Sequence, residues 1–228
     1  SSQAFLFGDD QFITGDSVTR YWILELQGTG IKTQQINSFT KFELKLNDRE
    51  LATDTFYMHV LNTDTGAITR SSGFVSSLGN GKLLRNTNVS EPYLYPTGSS
   101  LVTTRYRPVT LKPENTNPHT FGVRMVNNDA TIDGYDRTRV DSFVCRTNPF
   151  FYHLISRNFG AASADIRVFY ELPADSLWDG LAHWEFPNPA GEWNDLSPVT
   201  YTPATPLSSV TKAAWAEFDP QPFILSRI

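Results

Sequence analysis

The chain has 228 residues, with 24 acidic against 19 basic side chains, a net charge of −5 and one cysteine. No stretch is densely basic, which excludes an arm that binds nucleic acid by releasing counterions from phosphates. The lone Cys145 excludes an internal disulfide, and no apolar run approaches the roughly 18 residues of a membrane helix.

At this length folding buries roughly 70% of the unfolded chain's surface, so neither a metal nor a disulfide staple is required. In chain order, FLFGDDQFITGDSVTR (5–20) places two adjacent acids before a Gly-Asp-Ser-Val block. No secretory h-region is present, and Ser1 in first position is the expectation for a chain cut from a longer precursor or stripped of its initiator. RYWILEL (20–26) reads as a deeply buried strand. FTKFELKL (39–46) alternates, with Thr40, Phe42, Leu44 and Leu46 on one face, which predicts a half-buried antiparallel strand. TFYMHVL does the same with Phe56, Met58 and Val60, HTFGVRMV with Phe121, Val123 and Met125, and DIRVFYEL with Ile166, Val168 and Tyr170. RVDSFVCR and PFFYHLI read as buried strands, and Cys145 as a small buried thiol. Turn sequences separate these runs at 62–66, 79–81, 113–118, 127–129 and 133–134. The best helical candidate is SLWDGLAHWEF, where Leu177, Leu181 and Trp184 share a face that Gly180 weakens. Pro187, Pro189, Pro198, Pro203 and Pro206 then favour extended backbone. About eight to ten short strands, with no repeat at a fixed period, predict a sandwich or barrel. Residues 174–228 are expected to form a long arm returning to it.

Candidate chemistry is sparse. Gly15-Asp16-Ser17-Val18 resembles the first block of the GDSL-type esterases, with Ser17 as nucleophile and Asp179-Gly-Leu-Ala-His183 as a near-match to the base block. The latter has three intervening residues where that family has two, and the strands lack the crossover helices of its parallel α/β sheet. The histidines His59, His119, His153 and His183 are scattered without ligand spacing. Asn127–Gly134 gathers oxygen ligands but misses the EF-hand pattern, so it reads as an acidic turn. No metal or cofactor is expected. Trp178, Trp184 and Trp193 could stack on sugar faces, as in a carbohydrate-binding or adhesion module, or cover a subunit interface.

NPFFYHLISRNFGAASADIRVFYEL (148–172), the opening DDQFITGDSVTR and the closing WAEFDPQPFILSRI together resemble the capsid proteins of picorna-like viruses, of the dicistrovirus or marnavirus kind. Gly160-Ala-Ala-Ser163 and Asp165-Ile-Arg167 stand where that family has an Arg-Gly-Ser type entry, which is not reproduced literally. The resemblance implies an all-β fold: an eight-stranded antiparallel jelly-roll sandwich with residues 1–19 as N-terminal segment, 20–173 as core and 174–228 as C-terminal strand and arm. It further implies a non-enzymatic subunit of an icosahedral virion shell, assembled in the host cytoplasm. Its partners would be other capsid subunits, an enclosed RNA genome touched modestly and an unidentified host receptor, with no membrane span. In such shells an Asp-Asp-Phe motif is associated with maturation cleavage of a neighbouring precursor. Asp9, Asp10 and Phe12 match it with Gln11 inserted, which makes them the candidate catalytic residues; the alternative is a solvated or turn-capping acidic pair.

Overall fold

A computed structural model of the chain describes residues 3–186 and 191–228; Pro187 and Pro189 of the late proline run lie outside them. The chain is all-β, and among the described residues the one helical element is a 3-10 turn, Ala130–Asp133. The jelly roll is not there. The first third of the chain winds instead into a β-solenoid of about four turns.

Its strands are β1 (Gln3–Leu6), β2 (Gln11–Ile13), β3 (Thr19–Leu26), β4 (Lys32–Gln34), β5 (Ser38–Asn47), β6 (Glu50–Ala52), β7 (Tyr57–Val60), β8 (Ile68–Arg70), β9 (Phe74–Ser76) and β10 (Lys82–Thr87). Apart from β7 and β8, which share a sheet, successive strands alternate between two parallel sheets. One runs β1-β3-β5-β7-β10, with β8 also on β5; the other runs β2-β4-β6-β9. Gln3 pairs with Ile23 and Ile23 with Glu43, so a turn takes about 20 residues. Leu44 pairs with Ile68, and the longer step absorbs the 61–67 loop. A repeat therefore exists, carried by geometry and not by recurring side chains. Each turn points aliphatic residues inward, among them Leu24, Leu26, Leu44, Leu46, Leu51, Met58 and Val60, all with no exposed surface. Alternation of buried and exposed positions reports one covered face. A solenoid wall provides that face as well as an antiparallel sheet does, which is why the pattern did not distinguish them.

β10 is the switch between the two halves. It pairs in parallel with β7 on one side and antiparallel with β15 on the other. The remaining strands are β11 (Tyr93–Tyr95), β12 (Gly98–Ser99), β13 (Arg105–Tyr106), β14 (Val109–Pro113), β15 (His119–Val126), β16 (Arg146–Thr147), β17 (Tyr152–Phe159), β18 (Ala164–Glu171), β19 (Gly180–Glu185), β20 (Glu192–Asp195), β21 (Thr200–Thr202), β22 (Leu207–Trp215) and β23 (Pro222–Arg227). The first solenoid sheet continues antiparallel as β15-β17-β23-β19-β20, and a second sheet runs β11-β14-β18-β22-β21. Phe121, Val123, Met125 and Ile155 of one sheet, and Leu111, Ile166, Val168 and Tyr170 of the other, share one core with the solenoid interior.

Several local expectations are corrected. SLWDGLAHWEF is not helical: it contains β19, where five successive residues are buried because a second cluster, with Trp184, Trp193 and Val144, covers the outer face of the sheet. A strand buried on both faces loses its period of two. RVDSFVCR is mostly loop, with Phe143 exposed and Cys145 an exposed thiol. Phe42 leaves its expected inward face because the register slips between Tyr21–Thr40 and Ile23–Glu43. Its ring instead stacks outside on Trp22 of β3, with centroids 5.6 Å apart and planes within 4°, so RYWILEL is not buried throughout. Residues 174–228 supply β19 to β23, and β22 and β23 lie between other strands of the two sheets.

Candidate functional site

Asp9 and Asp10 occupy the first corner of the solenoid, between β1 and β2, and both are exposed. The corner below is Gly28-Thr29-Gly30. Gly28 (φ +71°) and Gly30 (φ +68°) lie so close under the first corner that a Cβ on either would fall on the backbone of Gly8 or Asp10. The stacking is secured by polar bonds between turns. Thr29 Oγ1 donates to Asp9 Oδ1, and the Ile31 amide donates to Asp10 Oδ1 at 2.7 Å. Lys32, fully buried, donates from Nζ to the carbonyl oxygens of Gly8 (2.9 Å), Thr29 (2.7 Å) and Asp9. Burial lowers the Lys32 pKa, and the neighbouring Arg49 guanidinium adds to that, while Asp10 and Asp9 oppose it. The acidic pair is thus built into the corner as an acceptor set.

Asp10 and Phe12 do meet in a second setting. The outer face of the short sheet carries one row of side chains across its four strands: Phe12, Thr33, Ala52 and Ser76, in register. Neighbouring strands are about 4.8 Å apart, so the row spans roughly 14 Å. Its middle is small, and its ends are large: Phe12 on the terminal strand, and Leu78, Leu101 and Val102 on the far side. The result is a groove of about 460 Å³. Asp10, Glu50 and Asp54 supply carboxylates to its lining, and no lysine or arginine lines it. The Glu50 carboxylate accepts from Ser76 Oγ, which fixes it over the groove floor.

The far wall is unusual in its backbone. Val102 is 97% exposed and sits at φ +62°, a conformation that a β-branched residue rarely takes. It is the centre of a three-residue turn, closed by the Thr103 amide donating to the Leu101 carbonyl at 2.7 Å. Asn127 holds that turn from outside, its Nδ2 donating to the carbonyls of Leu101 (2.8 Å) and Thr103 (2.9 Å). Arg105 Nη1 in turn donates to Asn127 Oδ1 at 2.8 Å. Backbone strain of about 1–3 kcal/mol is therefore held in place by side-chain clamps. Sequence reasoning reached Asp10 and Phe12 but missed Leu101 and Val102. The only trace of them was a pair of aliphatic residues inside the polar run SSLVTT.

The other candidates are dispersed. Ser17 is exposed at a corner of the first turn, whereas His183 is buried in β19 against Trp215 and Phe223, with Asp219 Oδ1 3.1 Å from its Nε2. Burial lowers the His183 pKa, and Asp219 and Glu185 pull the other way. His59 bonds Asn86 Oδ1 and His119 bonds Asn115 Oδ1, each as a packed polar residue. In the Asn127–Gly134 segment Asp129 caps the 3-10 turn and both its oxygens take Arg137, so they are spent on protein. Among the described residues no cluster of His, Cys, Asp and Glu has the makings of a metal site, and no helix is long and apolar enough to cross a membrane. Trp178, Trp184, Trp193 and Trp215 are all buried; the outward-facing indole is that of Trp22. No protein-family model, curated protein or solved structure matches the chain.

Proposed function

We propose that this chain is a structural subunit, not an enzyme of repeated turnover, that works by receiving another protein segment at the open end of its solenoid and in the adjoining groove. The observation that carries the proposal is Val102. A fully displayed aliphatic side chain, held in a strained turn by Asn127 and Arg105, has no role in the chain's own core. Exposed apolar groups held together in this way mark interaction surfaces. The surroundings agree. β1 and β2 end their sheets, and among the described residues no strand pairs with their outer edges. Phe5, Phe7 and Phe12 are exposed beside them. An unpaired strand edge beside apolar rings is a template for strand addition. The carboxylates of Asp10, Glu50 and Asp54 favour an occupant that carries basic as well as apolar residues.

The finer reading, a subunit of an icosahedral virion shell around RNA, is supported by the resemblance of the opening, 148–172 and closing segments, and not by a jelly roll. Asp9, Asp10 and Phe12 would then sit at a subunit contact, where a cleavage role in a neighbouring precursor belongs to the same proposal.

Sedimentation of the purified chain over a concentration series tests the assembly. We expect association that weakens about tenfold or more, on the order of 1.4 kcal/mol, in Phe12→Lys. Val102→Gly should weaken it too while raising, not lowering, the stability of the isolated chain, because glycine relieves the positive φ. A chain that stays monomeric throughout, or associates equally well with both substitutions, retires the proposal. Electron micrographs of the assembled material separate a closed shell from any other assembly.

A further inference from the structure

A second cavity lies on the antiparallel half, with Arg124 standing between it and the Leu78, Leu101 and Val102 wall of the groove. The register that sets Leu83 of β10 against Val123 of β15 brings Lys82 beside Arg124 on the outer face of the sheet. Leu154 of β17 is opposite Arg124, and Ser156 is opposite Gly122. Gly122 makes the arrangement possible: a Cβ there would press on the Lys82 stem, on Leu84 and on Asn158. Without one, Lys82 lies across β15 and its Nζ comes 3.3 Å from Ser156 Oγ. The Asp219–Pro220 segment closes the other side, leaving about 160 Å³ with Leu154 and Pro220 as apolar wall.

The two cations are under-partnered. Among the described residues neither Lys82 nor Arg124 has a carboxylate within ion-pair distance. Arg124 Nη1 has only a 3.5 Å contact with Asn80 Oδ1, and its Nε is buried without an acceptor. Burial lowers the pKa of both side chains, and at Arg124 the more distant Tyr152, Asp133 and Tyr135 oppose that shift. A half-buried cation with no ion-paired carboxylate is unfavourable, and a buried donor without an acceptor adds a further penalty. Nothing in the core requires them there, since the inward residues of these strands are Leu83, Val123 and Ile155.

We infer that this cavity binds a small organic carboxylate, its oxygens on Lys82 and Arg124 and its carbon body against Leu154 and Pro220. The apolar wall gives a carbon chain somewhere to go, which inorganic phosphate would leave empty. The Asp219 carboxylate in the lining also penalises a dianion more than a monoanion.

Calorimetric titration of the full chain with butyrate, butyramide and inorganic phosphate tests this. Butyrate should bind saturably, butyramide should not, and phosphate should bind more weakly than butyrate. Arg124→Gln and Lys82→Gln should each weaken butyrate by about tenfold, the loss of one charge-assisted bond. Ser156→Asp provides a control that does not depend on losing a side chain. It places the chain's own carboxylate beside Lys82, and should abolish butyrate binding while raising the melting temperature. Equal heats from butyrate and butyramide, tighter binding of phosphate, or butyrate binding indifferent to all three substitutions would overturn the assignment.

Discussion

His153, on β17, has almost no exposed surface, and its Nε2 lies 2.9 Å from the Arg107 carbonyl oxygen. Burial pushes its pKa down to about 4; the carbonyl acts in the opposite direction, and the Arg107 charge assists the depression. In the unfolded chain the same imidazole titrates near 6.5. Between those values the unfolded state binds the proton and the folded state does not, so stability falls as pH drops through that window and levels off below it. The full effect of this one group is on the order of 3 kcal/mol. His59, His119 and His183 are shifted in the same direction by burial, so the acid sensitivity is shared. Urea unfolding of wild type at pH 7 and pH 5 should show a clear loss of stability at the lower pH. His153→Gln, which cannot take up the proton, should show a smaller loss; an unchanged pH dependence in that variant would contradict the burial argument.

Among the elements, the solenoid corners are the most demanding, because there backbone packs directly on backbone. Gly28 combines a left-handed φ with backbone contact, so Gly28→Ala has no low-energy solution. It should lower the denaturation midpoint by the equivalent of at least about 1–3 kcal/mol, whereas the same change at Gly134, also at positive φ but in open space, should cost less. What the sequence revealed at this scale was the covered face of some strands: Phe121, Val123 and Met125, or Ile166, Val168 and Tyr170, are buried as expected, whereas Phe42 is not. It did not reveal which strand lies alongside. Pairing Ile23 with Glu43 leaves no mark in side-chain type, and the 61–67 loop blurs the spacing that would expose a repeat. β19 escaped for the opposite reason, since covering both faces erases the alternation. Of the candidate groove, Asp10 and Phe12 were legible as an unusual acidic and aromatic pair. Val102 was not, because its conformation is set by Asn127, 25 residues further along the chain.

At the scale of the molecule, a solenoid and an antiparallel half share β10 and one apolar core that reaches from Ile13 to Leu225. Repeat folds ordinarily lose stability turn by turn, because each turn touches only its neighbours. Here the turns are tied to the antiparallel sheets through that core, but among the described residues the strands of the first turn pair on one side alone. Stability should therefore be graded. Amide exchange in β5, β7, β10 and β15 should follow global unfolding, and Leu44→Ala and Val168→Ala should shift the same transition although they lie in different halves. The Leu44 substitution should cost about 2–5 kcal/mol, as emptied core sites do. Amides of β1 and β2 should exchange fastest among the strands, and should become protected when the chain associates, because the incoming segment supplies the missing neighbour. Two separate transitions would break the shared-core argument. A first turn equally protected before and after association would mean that its edge is not where partners are received.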